Sequence, residues 1–232
     1  MTLDELAVVV PLGPGERAWR GLLAELAPLP ARARVVLVAT AEDDLPVGGD
    51  PALAAVRAEL VPLVARRGRS TQLNAGARAA DRGWLWFLHA DSRLAATTLA
   101  ALVATATRAP GALGYFDLRF AADGPAAVRL NELGAFVRSR VLGLPFGDQG
   151  FFLATQVFER LGGFDPALAC GEDHAFVWTA RRAGVPLAAA HAPLYTSARK
   201  YADRGWLATT ARHLRLTAAQ AWRGARRARG VA

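Results

Sequence analysis

Trp84-Leu85-Trp86-Phe87-Leu88-His89-Ala90-Asp91-Ser92 begins as the most hydrophobic five-residue run of the chain and breaks abruptly into polar residues. Five unbroken apolar residues bounded by Gly83 on one side suit a strand buried on both faces. Such a strand delivers whatever follows it, here His89 and Asp91, to the edge where ligands bind in open α/β sheets. Working back towards the amino terminus, short β-branched runs at 6–12, 34–39 and 60–65 alternate with helical patterns at 16–27, 51–59 and 71–81. That alternation predicts an α/β fold with a mostly parallel central sheet covered by helices. Ser70 is the expected cap of the helix over 71–81.

Beyond Pro110 the order is less regular. A strand over 113–120, a helix over 125–142, a strand-like 150–153 and a helix over 173–183 give this half an α+β character. A last helix over 205–229 places Leu207, Ala211, Leu214, Ala218 and Trp222 on one stripe, with Arg212, Arg215, Arg223 and Arg226 on the neighbouring one. A basic amphipathic helix either packs on the domain or lies on an anionic membrane surface.

The 232 residues suit one domain, and 53% hydrophobic content with a mean hydropathy of +0.18 is enough for a core. The lone Cys170 excludes an internal disulfide and fits a reducing compartment. No basic leader opens the chain and no apolar run is long enough to cross a bilayer, so a cytoplasmic location, with the inner face of the membrane as a variant, is expected. The net charge of +8 is almost all arginine, Lys200 being the only lysine. Arginine forks suit phosphate oxygens, so an anionic partner is expected. Nucleic acid is not, because no recognised motif appears and aromatic residues are not interleaved with the basic ones.

Four clusters could carry chemistry. The carboxylate of His89-Ala90-Asp91 at a strand end could hold a hard divalent cation shared with a diphosphate, or cap the next helix. Gly171-Glu172-Asp173 opens a predicted helix, and a carboxylate there could act as a general base or simply complement the helix dipole. Gly147-Asp148-Gln149-Gly150 is either a recognition loop or a plain turn. Arg69-Ser70-Thr71-Gln72-Leu73-Asn74-Ala75-Gly76 puts polar groups on the first turns of a helix, where they either meet a ligand or stay solvated.

In this order the clusters resemble family 2 glycosyltransferases, and within them a small soluble bacterial subgroup with a His-Ala-Asp-Ser/Thr metal motif. The matching stretches are 68–77, 87–92, 147–150, Gly162-Gly163-Phe164 with Glu172-Asp173, and 196–199, so the likeness covers roughly residues 6–205. The resemblance implies a single Rossmann-like GT-A domain: a nucleotide-sugar half over 1–110, an acceptor half over 111–204 and the helix over 205–232. It implies an inverting transfer of sugar from a nucleotide diphosphate donor, dependent on Mn²⁺ or Mg²⁺ held by Asp91 with His89 in place of the usual first acid. Asp173 would be the base and Glu172 its neighbour. Pro11, Arg69, Gln72, Asn74, Arg199 and Lys200 would line the donor, with Asp43 standing in for a nucleobase aspartate that relatives carry after the second strand. Asp148 and Gln149 would meet the acceptor, a lipid-linked one being among the options. Two other readings stay open: a sugar-phosphate nucleotidyltransferase, for which Gly13-Pro14-Gly15 is a faint phosphate loop, and a catalytically degenerate nucleotide-binding protein.

Overall fold

The computed structural model describes residues 1–46, 48–212, 214, 215 and 217. In chain order the elements are β1 (Leu6–Pro11), α1 (Trp19–Glu25), β2 (Arg34–Ala39), α2 (Pro51–Ala54), β3 (Glu59–Val64), α3 (Arg69–Ala79), β4 (Trp84–Phe87) and β5 (Arg93–Leu94). They continue with α4 (Thr98–Arg108), β6 (Leu113–Phe120), α5 (Val128–Arg140), β7 (Phe152–Ala154), α6 (Thr155–Arg160), α7 (Glu172–Arg182), β8 (Leu187–Thr196) and α8 (Arg199–Asp203).

One sheet runs β3-β2-β1-β4-β7-β6-β8-β5. Its first four strands are parallel, as the βα alternation requires, while β7 lies antiparallel to both β4 and β6. Two reversals restore direction, so β6 and β8 point the same way as β4 and their carboxyl ends share one edge. β1 is buried at every residue and divides its side chains by period two. Leu6, Val8 and Val10 join Trp19, Leu22, Trp86, Phe116 and Phe152 on one face; Ala7 and Val9 join Leu73, Phe87, Phe158, Phe164 and Phe176 on the other. β3, at the sheet's edge, carries Pro62, where proline's missing N–H is most easily tolerated. α3 sits very close to the sheet at Gly76, where a Cβ would come within 2.4 Å of Val9 Cγ1.

Several expectations need adjusting. Ser70 does not cap α3: Gly68 precedes the helix, and Ser70 lies in its first turn with a buried Oγ that has no hydrogen-bond partner. α2 stops at Ala54, short of the expected end at Glu59, which instead opens β3 and pairs its carboxylate with Arg34. β8 was not anticipated. Its alanine-rich sequence has little strand propensity and Pro193 interrupts it; the strand accommodates both by an irregular register opposite Tyr115 and Asp117 and a positive φ of 54° at His191. Residues 206–212 are helical as expected, whereas Ala218, Trp222, Arg223 and Arg226 lie outside the described residues. Among the described residues no helix is long and apolar enough to cross a membrane.

Candidate functional site

The carboxyl ends of β4 and β8 bring His89, Asp91 and the 196–200 segment to one edge. Thr196 Oγ1 donates to Asp91 Oδ2 at 3.3 Å, joining the two strands where they leave the sheet. The amino termini of α3 and α7 face this edge, and the ion pair Arg69 Nε–Glu172 Oε1 at 3.0 Å links them. Gly171, in the left-handed region at φ 78°, turns the chain into α7 so that Glu172 and Asp173 occupy its first turn. Asp173 is held from two directions: Oδ2 accepts the Gly147 N–H and Oδ1 accepts the His174 N–H, each at 2.7 Å.

Arg69 is the hub of the cluster. Burial holds the His89 imidazole well below its ordinary 6.5, and the charges of Arg69 and Lys200 lower it further. Burial pushes the Asp148 carboxyl up, opposed first by Arg138 and then by Lys200, with Asp173 adding to the rise and Arg69 opposing it. Burial and then the Asp173 charge push Glu172 up; the adjacent Arg69 does not overcome them. Residues 69, 89, 148, 172, 173 and 200, far apart in sequence, therefore share one electrostatic environment. Two further members, Arg138 and Tyr201, stand outside the sequence motifs. Arg138 lies on the inner side of α5, donates to Gln149 Oε1 at 3.0 Å, stacks 3.4 Å over the Phe146 ring and feels both Asp148 and Asp173. Tyr201 is buried against Phe120, and burial followed by the Asp148 charge pushes its phenol up to about 12. Arg138 shares the buried side of α5 with Glu132 and Ala135, and no pattern in the sequence marks that side.

The other expected site residues fall into two groups. Three amides hold the frame. Gln72 is buried, and its Nε2 donates to the carbonyls of Leu12 and Val38, both at 2.8 Å, tying the ends of β1 and β2 together. Asn74 exchanges two hydrogen bonds with the Phe164 backbone, at 2.7 and 2.9 Å. Gln149 is 0% exposed; it donates to the Phe116 carbonyl and accepts from Arg138 and from the Phe146 N–H. These bonds shape the 146–150 loop. The second group lies at the rim. Pro11 is buried at the end of β1, and Arg199 is exposed, 3.8 Å from Asp123. Asp43 is exposed in a 3-10 turn, and it is its neighbour Asp44 that reaches the first loop by accepting from the Gly15 N–H at 2.7 Å.

Among the described residues no three His, Cys, Asp or Glu side chains converge as a metal cage. A site completed by substrate phosphates needs only one or two protein ligands. Asp91 with His89, whose Nε2 is buried without a hydrogen-bond partner, fits that open kind. A separate cleft of 650 Å³, lined by Trp84, Pro110, Thr155 and Arg160, opens at the other end of β4 and shares no residue with this cluster.

The fold has solved counterparts. Over 84% of its residues, at 15% identity and a TM-score of 0.61, the chain superposes on 59% of a 1–349 fragment of S. aureus TarS solved with UDP-GlcNAc. The same fragment with UDP matches at 16% identity and 0.61, covering 83% of this chain and 60% of that one. A longer TarS structure matches at 15% identity and 0.62, with 84% of this chain covering 37% of it. The chain thus has the TarS fold and spans less than two thirds of the TarS chains it matches. No protein-family model and no curated protein matches it.

Proposed function

We propose that this chain is an inverting glycosyltransferase that moves a sugar from a nucleotide diphosphate donor to an acceptor hydroxyl. The observation that carries the reading is the meeting of a twice-anchored carboxylate, Asp173, with Arg69 and Lys200 at the carboxyl edge of the sheet. Such an edge suits an anionic ligand, and the cations suit a diphosphate. The fold shared with TarS, which was captured with UDP-GlcNAc and with UDP, supports a nucleotide-sugar donor.

In this reading Asp173 takes the proton from the acceptor hydroxyl as that oxygen bonds to the anomeric carbon. The bond from that carbon to the phosphate oxygen breaks, and the nucleoside diphosphate departs with the electron pair. The Gly147 and His174 N–H groups fix the orientation of the carboxylate while leaving each oxygen a lone pair free for the incoming proton. Arg69 and Lys200 offset the charge gathering on the diphosphate. Asp91 and His89 would hold Mn²⁺ or Mg²⁺, which when bound would supply further positive charge to the same leaving group. Glu172, paired to Arg69, positions the guanidinium rather than accepting a proton itself.

The reading is tested by nucleoside diphosphate release from UDP-GlcNAc and related donors with Mn²⁺. Asp173→Asn is expected to lower turnover by roughly a hundredfold or more while donor affinity stays within about threefold, the pattern for a lost general base. Unchanged turnover in this variant would remove Asp173 from the chemistry.

A further inference from the structure

α5 is apolar on both sides. The side that faces the protein buries Val128 and Ala135 together with the polar Glu132 and Ser139, while the outer side carries Leu130, Leu133, Phe136 and Val137, continued by Val141 just past the helix, all between 42% and 72% exposed. Glu132 is neutralised within the protein by Arg119 and Arg129 and accepts the Phe120 N–H, so burying it is locally compensated. Nothing among the described residues covers the outer row. Large apolar side chains gathered on one exposed ridge, unlike scattered ones, mark a contact surface.

The helical segment beginning at Trp206 extends the same theme. Trp206 Nε1 donates to Asn131 Oδ1 at 2.7 Å and Asn131 Nδ2 donates to Thr210 Oγ1 at 3.1 Å, fastening this segment to α5. Leu207 and Leu214, seven residues apart and so on one face, are 74% and 65% exposed. Around these apolar residues the exposed charge is mainly positive. Lys200, Arg204, Arg212 and Arg215 are exposed, as are Arg129 and Arg199, which pair with Glu132 and Asp123, and Asp203 is the other exposed acid beside them.

We propose that the outer face of α5, together with the exposed Leu207 and Leu214, docks on a bilayer surface that carries anionic phospholipid. An apolar ridge flanked by arginines matches what such a surface offers, acyl chains at the headgroup boundary and negative charge above them. A second copy of this chain would set one arginine-rich rim against another, and the like charges oppose that arrangement. Arg138, on the inner side of α5, faces Asp148 and Asp173, so a single helix separates the docked face from the carboxylate cluster. The proposal stands on surface composition alone and does not depend on the transferase reading.

Sedimentation of the full chain with phosphatidylglycerol-containing vesicles, compared with phosphatidylcholine vesicles, tests it by binding rather than by activity. The expected result is partitioning on the order of tenfold stronger on the anionic vesicles, weakened by salt. The double variant Leu133→Glu/Val137→Glu, at positions already facing solvent, is expected to lose that binding at least about tenfold with an unchanged melting temperature. Equal partitioning on the two vesicle types, binding retained by the double variant, or a concentration-dependent dimer in light scattering that the double variant abolishes would each overturn the proposal.

Discussion

The Gly147 amide donates to Asp173 Oδ2 across 2.7 Å, joining the loop after α5 to the first turn of α7. The contact leaves no spare room: a Cβ at position 147 would lie 3.2 Å from Asp173 Cβ and 3.3 Å from Oδ2. The carboxylate's position is thus set by the absence of a side chain on a residue 26 positions away. Gly147→Ala is therefore expected to shift Asp173 by a few tenths of an ångström and to lower turnover by roughly tenfold, since small misplacements of reacting groups are costly. Steady-state kinetics beside a melting curve check this, and a large fall in turnover with little loss of stability is the expected signature.

Asn74 makes a different prediction, because its hydrogen bonds go to the protein. Asn74→Ala strands the N–H and C=O of Phe164, a residue 2% exposed, and is expected to cost about 2 kcal/mol. For a chain of this size that corresponds to a melting temperature lower by roughly 4–8 °C. Donor KM should hardly move. A weakened donor affinity at unchanged melting temperature would instead return Asn74 to the donor contacts. Gly163 belongs to the same clamp. Its φ of 73° suits glycine, and a Cβ there would fall 2.7 Å from Asn74 Oδ1, so Gly163→Ala should destabilise as well.

Asp148 predicts a pH dependence. Burial raises its folded carboxyl above the ordinary 3.8, so the folded protein binds that proton more tightly than the unfolded chain does. Ionisation therefore weakens folding as pH climbs from about 3.8 through the raised folded value, and below that window the penalty is absent. Asparagine does not titrate. The stability of Asp148→Asn relative to the parent, read from urea midpoints across the acid range to neutrality, should rise with pH. A flat difference would show that Asp148 is not raised.

The parts of the fold set by local pattern were legible in the sequence. β2 and β6 lie where the hydrophobic runs placed them, and Trp84–Phe87 forms the buried strand that carries His89 and Asp91 to the site edge. β8 was not, because Ala188, Ala189, Ala190 and Pro193 carry no strand signal and form one only between β6 and β5. The site was legible as residue types but less so as roles. The resemblance implies ligand contacts for Gln72, Asn74 and Gln149, and in the structure each also spends its amide on a backbone group across the fold, a choice that depends on distant partners. Arg138 was hidden for the same reason: a cation on a helix reads as solvated until tertiary packing puts Phe146 and Gln149 against it.

In the proposed reading the edge holding Arg69, Asp91 and Asp173 receives a metal-bound nucleotide sugar. Thermal unfolding of the full chain with a panel of nucleotide sugars, with and without Mn²⁺, addresses it most directly. Saturation at about a hundred times the dissociation constant should stabilise the native state by about 2.7 kcal/mol, a rise of roughly 5–10 °C for at least one donor. The rise should depend on Mn²⁺ and disappear in Asp91→Asn and Arg69→Met. A parent protein whose melting temperature responds to none of these donors, or one whose response survives both substitutions, would rule out a nucleotide-sugar site at this edge.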